Sequence, residues 1–245
     1  MLIKACLNGS RAPGAHPALP VTPAALAGAA AEAVVAGAGA VHFHVRDAQG
    51  RESLAPDDVA RALTAVRAAV PATPIGVSTG AWIVPDPAER HALVAKWPEL
   101  PDFASVNFHE PGAAALVDLL LARGVAVEAG VRDGAAAELL VNSGLAQRCV
   151  RVMFEPAADV LDDALRSKDE TEAVLAAAGV SRPRLLHGTG ATVWGLVEEA
   201  ARRGYDTRVG LEDTLYLPDG SIAASNAALV AAAWRRLSRR GVPRR

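Results

Sequence analysis

Eight short runs of β-type residues, each followed by a longer alanine- and leucine-rich segment, alternate along the whole of this 245-residue chain. Runs of four to eight residues suit buried strands, and the longer segments carry apolar residues at helical spacing. The strands read as residues 2–7, 40–45, 75–78, 103–106, 125–129, 149–154, 184–187 and 207–211. Proline stands where helices should begin, at Thr22-Pro23, Ala55-Pro56 and Asp86-Pro87, because the first helical residue needs no N–H. Gly124, Gly179 and Gly204 stand where helices should stop. No glycine-rich dinucleotide fingerprint follows the first strand, so the alternation favours a closed (β/α)8 TIM barrel over an open doubly wound sheet. No linker rich in Pro, Gly or Ser divides the chain. Residues 1–245 therefore read as a single (β/α)8 barrel domain with a short basic C-terminal tail.

Charge narrows the range of partners. Lys and Arg number 25 against 27 Asp and Glu, a formal charge of −2, which argues against nucleic acid or an anionic membrane. Arg235, Arg236, Arg239, Arg240, Arg244 and Arg245 form the single basic cluster and read as a solvated helix face and tail. The first twenty residues lack a charged start followed by a sustained apolar stretch. Apolar runs elsewhere break before the ~18 residues that a membrane span needs, so a cytoplasmic protein is expected. Cys6 and Cys149 show no metal or redox spacing and read as buried strand residues.

In such barrels chemistry sits at the C-terminal ends of the strands. The polar residues expected there are Asn8, His42, His44, Ser78, Thr79, Asn107, His109, Glu128, Glu155, His187, Glu212 and Asp213. His42 and His44, in VHFHVRD, share one face of a strand. Two imidazoles so placed can hold one Zn2+ at about 2.0–2.1 Å. Glu212, in RVGLEDT, is the natural third ligand, since strand eight adjoins strand one and strand one adjoins strand two. Two His, one carboxylate and an open position describe a catalytic zinc site; the plainer alternative is a hydrogen-bonded core histidine beside a chance neighbour. Co2+ or Mn2+ would suit the same ligands.

Arg208 and Asp213 flank Glu212. Asp213 can serve as a base tuned by the neighbouring cations, or the two can form a structural ion pair. His187-Gly188-Thr189-Gly190 offers glycine-linked N–H groups as an anion cradle, and Val77-Ser78-Thr79-Gly80 offers a hydroxyl and a turn glycine. His109 and His187, at strand ends, stand within reach of a substrate, whereas His16 and His91 fall in a loop and a helix and are expected to be exposed.

Taken in order, NGS, PALPVTP, AGAGAVHFHVRDAQGR, VSTG, GTG, RVGLEDTLYLPDG and SNAALV resemble the beta-keto acid cleavage enzymes along nearly the whole chain. The resemblance implies a zinc-dependent (β/α)8 enzyme that takes a β-keto acid and acetyl-CoA and yields acetoacetate and a new acyl-CoA. It also implies a homo-oligomer. His42, His44 and Glu212 match the metal ligands, Asp213 and Arg208 the acid/base pair, and Ser78 a substrate-positioning hydroxyl. Thr79, Asn107, Glu128 and His187 are further candidate substrate contacts. Arg11 stands where the family's founding member has a glutamate, which implies an anionic or neutral substrate tail in place of an amine; the alternative is an arginine that simply points to solvent. The chain is also shorter between strands four and six and at the C-terminus, where loops would help to bind CoA. A metal-dependent aldolase or hydrolase that needs no CoA, or a barrel that binds metal without turnover, are the alternatives.

Overall fold

The computed structural model describes residues 1–238 and 241. Eight parallel strands close into a barrel in sequence order, β1 to β8, with β8 paired to β1. They are β1 (Ile3–Cys6), β2 (Ala40–Phe43), β3 (Ile75–Ser78), β4 (Phe103–Asn107), β5 (Ala126–Val131), β6 (Arg151–Phe154), β7 (Arg184–Leu186) and β8 (Asp206–Val209). The helices around them are α1 (Pro23–Val35), α2 (Pro56–Ala69), α3 (Pro87–Ala95), α4 (Ala113–Ala122), α5 (Gly134–Asn142), α6 (Leu161–Ala177), α7 (Val193–Arg203) and α8 (Asn226–Ser238). The expected TIM barrel is therefore present. Among the described residues, no helix is long and apolar enough to cross a membrane.

The helix boundaries have the anticipated causes. Pro23, Pro56 and Pro87 each open a helix. The side chains of Thr22 and Asp86 accept from the free N–H groups of Ala25 and Glu89. Gly124, Gly179 and Gly204 follow helix ends with positive φ. Strand six begins at Arg151 and not at Cys149 because Ala146–Arg148 coil into a 3-10 turn. Both cysteines are buried. Arg235 and Arg236 lie in the last turn of α8, where Arg236 pairs with Glu198 of α7; Arg239, Arg240, Arg244 and Arg245 fall outside the described residues.

Val41, Val77, Ala104, Val127, Val152 and Val209 are buried in the layer between strands and helices, as alternation along each strand requires. Toward the N-terminal end the barrel is plugged by charge. Lys4, fully buried, pairs with Glu128 and lies 5.4 Å from the centre of the Phe103 ring. Glu128 faces Arg151 at 3.2 Å, and Arg151 reaches Asp206 at 3.2 Å. Asp206 in turn accepts from the Leu2 N–H at 2.8 Å. This chain of opposite charges ties together β1, β5, β6 and β8, and each member offsets its neighbour's desolvation.

A second ionic cluster locks α6 to α7. Lys168, 1% exposed, donates to Glu199 at 3.0 Å, and Glu199 also accepts from Arg202 and Arg203. Burial alone would raise the Glu199 carboxyl, but the bonds from Arg202, Lys168 and Arg203 outweigh it and bring the pKa down to about 2. A folded-state pKa below the ordinary 4.5 stabilises in full above that value, and the contribution fades as the pH falls toward 2. Glu199→Gln is expected to cost roughly 2–3 kcal/mol at pH 7. Denaturant unfolding of both proteins at pH 7 and pH 3 checks this: the gap should shrink at the lower pH, and an unchanged gap would mean that the charge contributes nothing.

Candidate active site

A cavity of about 360 Å3 opens at the C-terminal ends of the strands, where His42, His44 and Glu212 converge. His42 lies on β2 opposite Cys6 of β1. The Glu212 N–H donates to the Cys6 carbonyl at 3.2 Å, so closure of β8 on β1 carries the carboxylate to the two histidines. Nε2 of His42 stands 3.9 Å from one Glu212 oxygen and Nε2 of His44 stands 3.8 Å from the other. One donor atom from each of the three residues falls within 4.8 Å of the others. Gly9 makes room for this: its φ is +57°, and a Cβ there would come within 2.4 Å of Glu212 Cγ.

The neighbours hold the histidines differently. Asn8, fully buried, accepts from the His44 N–H at 2.8 Å and donates to the carbonyls of His44 and Pro20 at 2.9 and 3.0 Å. His44 Nδ1 meets Glu52 at 2.5 Å. Glu52 also accepts from Trp82 Nε1, and the indole stacks on the His44 ring with centroids 5.8 Å apart. His42 Nδ1, by contrast, is buried without a partner.

Arg208 links the proposed ligand to the proposed base. Its guanidinium donates to Glu212 and to Asp213, both at 2.8 Å. Burial works against the Arg208 charge, but the carboxylates of Asp213 and Glu212 outweigh it and raise its pKa. Glu212 responds oppositely: burial would raise it, while Arg208 and the histidines hold it well below the usual carboxylate range. Asp213 is pushed up by burial and by Glu212, against the pull of Arg208 and His187. Its Oδ2 has no hydrogen-bond partner. Burial also drives His42 far below its ordinary value and His187 down to about 3, which leaves both as neutral imidazoles, the form that binds metals. Glu155 is raised by burial, and its Oε1 is likewise unpartnered.

Of the residues read from sequence, Ser78, Asn107, His109, Glu155, His187 and Arg208 line the cavity beside the ligand set. Asp213 lies behind Arg208, fully buried. Three expected substrate contacts stand elsewhere. Glu128 points into the charge plug, since it sits three residues before the C-terminal end of a six-residue strand. Thr79 is fully buried, its hydroxyl spent on the Ser105 carbonyl at 2.7 Å. Arg11 turns to the Leu211 carbonyl at 2.5 Å, and its neighbour Ser10 lines the cavity instead. His16 is buried, not exposed, with Nδ1 accepting from the Ala18 N–H at 3.1 Å. In the 187–190 segment the Gly190 N–H is already bonded to the Asp213 carbonyl at 2.8 Å, which removes one donor from the anticipated cradle. Trp82, Ser105, Arg132 and Met153 line the cavity and Glu52 backs His44; no local motif marked any of them.

The sequence profile of the beta-keto acid cleavage enzymes matches residues 1–243. The chain belongs to this family. Within the beta-keto acid cleavage enzymes, the 3-keto-5-aminohexanoate cleavage enzyme of Fusobacterium nucleatum is 27% identical over 249 residues, covering 94% of this chain and 88% of that one. Among solved structures, apo ObcA superposes with a TM-score of 0.72 at 20% identity, covering 92% of this chain and 63% of ObcA. ObcA has also been solved with oxaloacetate and with a C4-CoA adduct and oxalate. This cleavage-enzyme family member thus spans less than two thirds of the ObcA chain. The 3-dehydroquinate dehydratase of Geobacillus kaustophilus shares the fold alone, at a TM-score of 0.64 and 12% identity, over 100% of this chain and 92% of that one.

Asn8→Ala would leave the His44 N–H and two buried carbonyls without partners, an expected loss of about 2–4 kcal/mol. Unfolding in denaturant measures it; a change below about 0.5 kcal/mol would show that water replaces the amide.

Proposed function

We propose that this protein is a zinc-dependent beta-keto acid cleavage enzyme that converts a β-keto acid and acetyl-CoA into acetoacetate and a new acyl-CoA. The supporting observation is the set His42, His44, Glu212 and Arg208 on one cavity, with Asp213 hydrogen-bonded behind Arg208, in a chain matched by the family over residues 1–243. The residues fit a divalent ion: Glu212 Oε2 is buried without a hydrogen-bond partner and faces His42 Nε2 at a distance too long for a hydrogen bond. His42, His44 and Glu212 would hold the ion and leave a coordination position open. Zn2+ bound there would supply a Lewis acid that acidifies the C2 protons of a β-keto acid.

The remaining chemistry falls to the chain. Asp213, oriented by Arg208, takes the C2 proton on its unpartnered oxygen. The C2 carbanion attacks the acetyl carbon of acetyl-CoA, a C–C bond forms and the CoA thiolate leaves. The thiolate adds to the original keto carbon, the C2–C3 bond breaks, and the tail departs as acyl-CoA. The acetoacetate carbanion recovers the proton held by Asp213, so protons and electrons balance. Arg208 keeps positive charge beside each anionic stage. Ser78, Asn107 and His187, on the cavity wall, position the substrate. Arg132, also on the wall and 47% exposed on its side chain, offers the tail a cation that Arg11 does not.

The reading is tested by acetoacetate formation from a panel of β-keto acids, with and without acetyl-CoA. Product should require acetyl-CoA and should be lost in the His42→Ala/His44→Ala variant. Asp213→Asn is expected to lower kcat by at least about a hundredfold with metal content unchanged. Turnover without acetyl-CoA would replace this reading by an aldolase or hydrolase. Stoichiometric metal with no turnover on any substrate would favour a non-catalytic barrel.

A further inference from the structure

Glu52 lies on the turn after β2, outside every motif that marks the site. We propose that Glu52 is the positioning residue of the metal centre, fixing His44 with Nε2 turned into the cavity, and that Trp82 in turn fixes Glu52. The proposal rests on the metal reading above and concerns how this chain prepares one ligand.

A neutral imidazole carries one N–H and one lone pair, and its two nitrogens cannot both bind a cation. The carboxylate 2.5 Å from His44 Nδ1 places the proton on that nitrogen and leaves the Nε2 lone pair facing Glu212, 3.8 Å away. A carboxylate behind a ligating histidine also makes the ring a stronger donor. Among the described residues no partner stands behind His42 Nδ1, so there the control acts on one of the two histidines.

Glu52 is itself held in place. Trp82 Nε1 donates to its two oxygens at 3.1 and 3.2 Å. The indole stacks on His44 at an interplanar angle of 27° and, half-exposed at the mouth, covers the Glu52–His44 contact on that side. Gly80, at the end of the VSTG segment, makes this possible, because a Cβ there would come within 2.3 Å of the indole. The turn carrying Glu52 is anchored by its bridge to Arg46, and the buried Arg46 guanidinium binds the carbonyls of Gly9, Arg11 and Gly50. Asn8 clamps the His44 backbone from the other side. Backbone, ring plane and tautomer of His44 are thus each set by a different neighbour, which is what preorganising a ligand requires.

The test is Zn2+ affinity of the full chain, stripped by dialysis against chelator and titrated in competition with a chromophoric chelator. Glu52→Ala should weaken binding 10- to 100-fold. Glu52→Gln, whose amide oxygen still accepts from Nδ1–H, should recover part of the loss, and Trp82→Phe, which keeps the stack but not the N–H, should lose less than Glu52→Ala. In a His44→Ala background, Glu52→Ala should add nothing. Melting of the metal-free variants separates this from misfolding; if Glu52→Ala does not fold, Glu52→Gln and Trp82→Phe carry the comparison. Equal affinity of the wild type and the Glu52 variants, or an undiminished effect without His44, overturns the positioning role alone. A wild type that takes up no Zn2+ overturns the metal reading and this proposal with it.

Discussion

Closure of β8 onto β1 is the constraint on which the rest of the site depends. Lys4 and Arg208 are register partners across that seam, and the chain must turn sharply just beyond it, where the Glu212 N–H bonds the Cys6 carbonyl. Gly210 permits the turn, since a Cβ there would come within 1.9 Å of the Cys6 carbonyl oxygen. A barrel that failed to close would leave His42 and His44 with no carboxylate opposite them. Residues separated by 170 positions in sequence become one ligand set through a single line of backbone pairing.

The barrel interior then divides into two electrostatic compartments. On the N-terminal side Lys4, Glu128, Arg151 and Asp206 neutralise one another in an unbroken chain. On the C-terminal side Arg208 is shared by Glu212 and Asp213, while several polar atoms of His42, Glu155, His187, Glu212 and Asp213 have no partner. Met153 separates the two, its sulfur 3.6 Å from Lys4 Nζ and 3.8 Å from Arg208 Nη1. A network in which each charge meets an opposite one supplies rigidity, even though Glu128 Oε1 and Arg151 Nε meet as an ion pair without a hydrogen bond, whereas unpartnered atoms at the mouth keep capacity for a ligand. The same types of residue have opposite uses according to the depth at which the strand places them.

That depth explains which residues were legible in the sequence. Alternation of eight strands and helices, with proline and glycine at the boundaries, specified the barrel. Period two placed His42 and His44 on one face, and barrel order supplied Glu212. Strand order alone also places Glu128 at the mouth, because order along the chain carries no information on height within a strand. Thr79 faces the neighbouring strand, and Arg11 is drawn to a backbone carbonyl across the seam. Glu52 and Trp82 belong to separate loops with no motif of their own, and only the folding of two βα connections over the same strand end brings them to His44.

The sequence by itself determined the class of fold, the family and the donor atoms available for chemistry, because periodicity, helix caps and the HxH pair are local properties of covalent order. The tertiary structure decided which donors face the cavity, which are consumed by neighbours, and which proton states burial imposes. Those outcomes depend on desolvation and on distances across the barrel, and both arise only after the last strand pairs with the first.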